Sequence, residues 1–141
     1  MYIATGVILF IFFIFLSILH FYWGLGGRWG ADAAIPTKVD TEKVLNPKMP
    51  ECFFVGFVLL CFAVFSLARA TVLFSFLPGW LLKYGLWIIV IIFLFRAIGE
   101  FKYVGFFKKI KSTTFGQLDT KYFSPLCLLI AVLALLLLLL K

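Results

Sequence analysis

Apolar residues run almost unbroken from Ile3 to Ile18, with only Thr5, Gly6 and Ser17 intervening, and continue through aromatic positions to Trp23. Three more such runs follow, at Glu51–Ala68, Trp80–Ile98 and Phe123–Leu140. Each is near the ~20 residues that a helix needs to cross a hydrocarbon core of about 30 Å. The pattern predicts an all-α fold: an antiparallel four-helix transmembrane bundle with spans at about 3–23, 51–69, 80–99 and 123–140 and connections at 24–50 and 100–122.

Capping chemistry sharpens these limits. Pro50 and Glu51 suit a first helical turn, since proline needs no amide partner there and a carboxylate faces the positive end of the dipole. In "FSPL", Ser124 is expected as N-cap and Pro125 as the first helical residue. "LPGW", Leu77 to Trp80, reads as a tight turn, which makes the second and third spans a short hairpin. The first run lacks a basic leader, exceeds a signal-peptide core and meets no A-x-A site, so it reads as a retained span. The chain, 1–141, is then expected to form a single integral membrane domain.

Composition agrees with the pattern and charge adds an orientation. The chain is 65% hydrophobic and 13% charged, with a mean hydropathy of +1.16, whereas a soluble domain carries roughly 25% charged residues. The net charge of +7 is unevenly spread. Arg28, Lys38, Lys43 and Lys48 lie in the first long connection; Lys102, Lys108, Lys109, Lys111 and Lys121 lie in the second, with Arg96 just inside. The opposite side holds Arg69, Lys83 and Lys141. Positive-charge counting over short loops predicts connections 24–50 and 100–122 in the cytoplasm and both termini on the outer face. Topology and anionic lipid explain the basic balance without a nucleic-acid partner.

Cys52, Cys61 and Cys127 form no C-x-x-C and no zinc pattern with His20, so they read as packing residues. No metal site and no cofactor is predicted. Haem is disfavoured because His20 has no second axial histidine.

The first span ends in "HFYWGLGGRWG", His20 to Gly30, which is denser in aromatics and glycines than a helix exit needs. At 1.5 Å per residue, His20 lies about 25 Å from the outer end of its span and Arg96 about 24 Å from the outer end of the third. Glu100 follows Arg96 at the i+4 spacing in "RAIGE". Ionisable groups at such depth usually face the bundle interior and pair with one another. The expectation is therefore an Arg96–Glu100 pair approached by His20, with Tyr103 also within reach. Each group also has a plainer role: Arg96 snorkelling to the interface, His20 bonding a backbone carbonyl, and Tyr22, Trp23 and Trp29 in the aromatic belt.

Gly24, Gly26, Gly27 and Gly30, with Arg28, form a candidate amide nest for a lipid phosphate, and otherwise a flexible exit turn. They are not a dinucleotide fingerprint, because Trp29 stands where glycine is required and no strand precedes them. In "EFKYVGFFKKIKSTTFGQLDTKYFSPL", aromatics alternate with lysines as an interfacial segment requires. Asp119, the one acid of that connection besides Glu100, is a candidate for tying down a lysine or arginine, or for capping a turn.

"HFYWGLGGRWG", "AIPT", "RAIGEFKYVGFFKK" and "TTFGQLDTKYFSPLCLL" together resemble a family of small bacterial four-span integral membrane proteins of unknown function. The resemblance covers nearly the whole chain. It implies a bacterial inner-membrane protein with this helix order, and no catalytic role comes with it.

Three functions compete. The first is a binding or accessory protein with an inner-face pocket for an anionic lipid or small amphiphile, lined by His20, Tyr22, Trp23, Gly26, Gly27, Arg28, Arg96, Glu100, Tyr103 and Asp119. The second is an enzyme on a lipid-soluble substrate, with His20 and Glu100 as acid and base and Arg96 as an anion clamp. The third is a small transporter, disfavoured because no carboxylate lies deep in a span. Membrane lipids are the expected partners, alongside a second copy of the chain or another membrane protein.

Overall fold

The computed structural model describes residues 1–38, 42–44, 46–71 and 77–140. Four helices dominate it: α1 (Tyr2–Gly24), α3 (Met49–Ala70), α4 (Gly79–Ile98) and α6 (Ser124–Leu139). Two short helices, α2 (Ala31–Ala34) and α5 (Thr114–Leu118), lie in the long connections. By length and composition, four helical segments can cross a membrane, the last counted from Thr114 to Leu139. The described residues hold no strand, only a single bridge between Thr37 and Lys43.

Small residues set the closest contact. Gly6 of α1 lies so near Ala70 and the carbonyl of Ser66 on α3 that a side chain there would collide with Ala70. Farther along, Ser17 Oγ donates to Gly56 O at 2.7 Å, and Gly24 rests against Phe53 and Cys52. Helices in lipid associate through such small residues and interhelical hydrogen bonds, because lipid tails are as apolar as the core itself. The pairing runs 6 with 70, 17 with 56 and 24 with 52, so α1 and α3 are antiparallel.

The second close pair is α4 with α6; α1 also packs on α6, and α3 on α4. The ring order places α1 and α4 on a diagonal. They meet across the core, where the Phe13 and Phe93 rings lie 5.5 Å apart, with Leu9, Leu59, Leu86, Ile89, Ile130 and Ala134 around them. The two helices that carry His20 and Arg96 therefore face each other across the bundle rather than side by side.

Both long connections lie at one end of the bundle, where α2 packs against α5. In the first, Lys43 Nζ sits 2.7 Å from Asp32 Oδ1, and its hydrogen bond and charge hold the Asp32 carboxyl below its usual range. At the start of α3, the Lys48 amide donates to Glu51 Oε2 at 2.9 Å, as a first-turn carboxylate should. The α4 start follows the expected turn, with Pro78 O accepting from the amides of Leu81 and Leu82. Lys141, counted above on the opposite side, lies outside the described residues.

The last span departs from its expected beginning. Thr113, not Ser124, is the capping hydroxyl, accepting from the Gly116 amide at 3.0 Å. Helix then continues from Thr114 through a π-helical turn, Asp119–Phe123, into α6. In that turn the Ser124 amide reaches Asp119 O, five residues back. The widened turn lies just ahead of Pro125, whose ring would clash with the carbonyl four residues earlier in an unbroken α-helix. Ser124 is thereby inside the helix, and its hydroxyl is free for Asp119.

Candidate functional site

Among the described residues, Asp119 is the carboxylate with the most hydrogen-bond donors. It is fully buried. Its Oδ1 accepts from Arg96 Nη2 at 3.0 Å, and its Oδ2 accepts from the Gly105 amide at 2.8 Å, Lys108 Nζ at 2.9 Å and Ser124 Oγ at 3.1 Å. Lys108 is buried too, and its ammonium also donates to Gly105 O and Thr120 Oγ1, at 2.9 and 2.6 Å. A buried ion pair is tolerable only when its remaining donors and acceptors are met in this way.

The chain reaches this arrangement because α4 stops at Gly99. Gly99 has φ +81 and Gly105 has φ +90, and the two backbones touch so closely that a Cβ on either would overlap the other strand of the loop. Glycine is the residue for both demands, left-handed backbone and close approach. The returning loop is tied by Phe106 N to Ala97 O at 2.8 Å, and by the Lys109 and Ile110 amides to Phe101 O and Lys102 O. It thereby carries Lys108 beneath the end of α4.

The expected Arg96–Glu100 pair is therefore not formed. Its i+4 argument assumed helix through Gly99; instead Glu100 turns outward, exposed, and its Oε1 accepts from the Tyr103 amide at 3.2 Å. Arg96 pairs with Asp119. Tyr103 lies under Lys102 Nζ, 5.1 Å from its ring centre, rather than beside His20.

His20 takes the carbonyl partner: its Nδ1 lies 2.8 Å from Leu16 O. A carbonyl only accepts, so Nδ1 carries the hydrogen, and in that tautomer Nε2 is the acceptor. The ring stands edge-on to Trp23, with centroids 5.1 Å apart, while Trp23 Nε1 donates to Trp29 O at 2.9 Å.

Two amides of the candidate glycine nest are spent on the chain itself: Gly26 N on Trp23 O at 3.0 Å and Gly27 N on Tyr22 O at 2.9 Å. Gly26, with φ +92, has open space around it, and Arg28 is exposed. Tyr22 lies on the outer side of α1, in a shallow groove with Phe15, Ile18 and Trp29.

What the structure does bring together is a cavity. About 500 Å³ in volume, it lies between all four long helices: Leu16, His20 and Trp23 from α1, Phe54 and Val58 from α3, Ile92 and Arg96 from α4, and Leu126 from α6. Its wall is apolar except for His20, Trp23 and Arg96. A second cavity of about 250 Å³ adjoins it through His20, Trp23, Ala34 and Val55 and has Glu51 on its wall. Sequence reasoning named His20, Trp23 and Arg96 but missed Phe54, Val58 and Glu51, since nothing in the α3 pattern distinguishes a cavity wall from a lipid face. It also read Lys108 as one interfacial lysine among several; the glycines at 99 and 105 that bury it were the available signal.

Arg96 joins the two features, lining the cavity and holding Asp119. Two cations, Arg96 and Lys108, share one carboxylate, which leaves a surplus positive charge. The Lys108 ammonium donates to three acceptors, whereas Arg96 Nη1 has no partner among the described residues. The surplus thus belongs to the residue on the cavity wall.

No curated protein and no solved structure matches this chain. One family profile does, over residues 13–134, and takes in α1 from Phe13, the two close helix pairs, both connections and the Asp119 cluster. The chain belongs to the DUF3995 family of proteins of unknown function.

Proposed function

We propose that this protein is a binding or accessory component of the bacterial inner membrane that holds an anionic lipid or small amphiphile at its cytoplasmic end. The cavity of about 500 Å³ carries this reading: its apolar walls suit a hydrocarbon chain, and its one charged wall residue, Arg96, is partly exposed and shares the Asp119 carboxylate with Lys108, which leaves a surplus positive charge. Ligand sites are typically concave and mostly apolar, with a few placed polar groups. A reaction is not favoured, because Glu100, the acid expected to work with His20, is exposed, accepts from the Tyr103 amide and does not line the cavity.

Native mass spectrometry of the detergent-extracted protein tests the reading. Wild type should carry a co-purifying lipid or amphiphile, and Val58→Trp, which fills the cavity from α3, should lose it while the protein remains folded. An adduct equally abundant in Val58→Trp would overturn the cavity as its site.

A further inference from the structure

The smaller cavity differs from the larger one in its hydrogen-bonding character. The amides of Gly27, Ala31, Ala34 and Cys52 on its wall are already donated to carbonyls of Tyr22, Arg28, Gly30 and Lys48. The Trp23 indole N–H is donated to Trp29 O. Acceptors remain. Glu51 uses only Oε2 for the Lys48 amide, and no ion pair among the described residues engages its carboxylate. His20, fixed by Leu16 O, keeps Nε2 as an acceptor, and the Trp23 ring stands beside it. A carboxylate and a ring nitrogen make a place for a cation that carries N–H donors. A quaternary ammonium has none to give.

We propose that this smaller cavity is a primary-ammonium subsite, so that the amphiphile held here is a zwitterionic aminophospholipid with its phosphate at Arg96 and its amine at Glu51 and His20. The inference rests on the proposed function, since the larger cavity must hold the acyl chain. The two cavities share the His20–Trp23 wall, which places a cation subsite next to an anion subsite, in the order that a phosphoethanolamine head group presents them. Glu51 is an exposed first-turn carboxylate at the bundle end, within the reach of a head group rather than of the chain.

The full-length protein in nanodiscs of equal parts phosphatidylethanolamine, phosphatidylcholine and phosphatidylglycerol, released for native mass spectrometry, provides the test. Wild type should retain phosphatidylethanolamine about tenfold over phosphatidylcholine, the discrimination expected from one charge-assisted hydrogen bond. Glu51→Gln should reduce that ratio to near one while leaving phosphatidylglycerol retention unchanged. This variant keeps the helix start, because glutamine serves equally at the third position of a capping box. Equal retention of the three lipids by wild type, or an undiminished preference in Glu51→Gln, overturns the ammonium subsite and leaves the cavity reading standing. Lipid retention no greater than in Val58→Trp overturns the cavity reading itself. Free phosphoethanolamine offered in place of lipid should leave no adduct; one as abundant as the lipid's would transfer the subsite to a soluble amine and overturn the lipid assignment.

Discussion

At the scale of single residues, charge placement separates groups that look alike in the sequence. Asp119 and Glu100 are both acids of one connection, yet Asp119 is fully buried among four donors and Glu100 is exposed on its own turn. Replacing Asp119 by asparagine leaves Lys108 buried without a counter-charge, and breaking a buried pair in this way costs about 3–5 kcal/mol. Asp119→Asn should therefore lower Tm in detergent by on the order of 10 °C. Glu100→Gln should leave it unchanged within measurement, as surface substitutions away from special features do. A Glu100→Gln protein as unstable as Asp119→Asn would restore the i+4 pair and discard the observed one.

At the scale of elements, the loop after α4 depends on two glycines that do different work from the others. Gly105→Ala places a methyl on left-handed backbone and against Ile98 O. Gly26→Ala has the same backbone sign but open space around it, so it incurs only the conformational cost, about 1 kcal/mol. Hydrogen exchange distinguishes them: Gly105→Ala should unprotect the amides of Phe106, Lys109 and Ile110, whose acceptors lie at the end of α4 and in the loop, whereas Gly26→Ala should not. The sequence made the long helices legible because each is a run of apolar residues marked at one end or the other by a proline or glycine signal. It made His20, Trp23, Arg96 and Asp119 legible because polar groups at depth are conspicuous. It failed to assign Arg96 its partner because i+4 spacing was carried past Gly99, itself a recognised stop. The start of the last span was misplaced for a related reason: "SP" is a strong capping signal, and here a π-helical turn absorbs the proline within a continuing helix.

At the scale of the whole molecule, the diagonal placement of α1 and α4 was invisible in a single sequence, because four similar apolar helices can be ordered around a ring in more than one way. The order puts α3 and α6 between the two polar helices, so that His20 and Arg96 line one cavity from opposite corners. Orientation across the membrane is a separate question, decided by charge. The connection end carries Arg28, Lys38, Lys43, Lys48, Lys102, Lys109, Lys111 and Lys121, against Arg69 and Lys83 at the described hairpin end. Buried Lys108 is neutralised by Asp119 and adds nothing to the surface field, yet the imbalance survives its removal. Positive loops are retained on the cytoplasmic side, which is also where an anionic leaflet attracts them. In a background with Cys52, Cys61 and Cys127 replaced by alanine, a cysteine at Lys109 should therefore resist a membrane-impermeant thiol reagent in intact cells and react after lysis. One at Gly79, exposed at the opposite end, should react without lysis. The reverse labelling would turn the bundle over and move the cavity to the outer leaflet, where the lipid available to it differs.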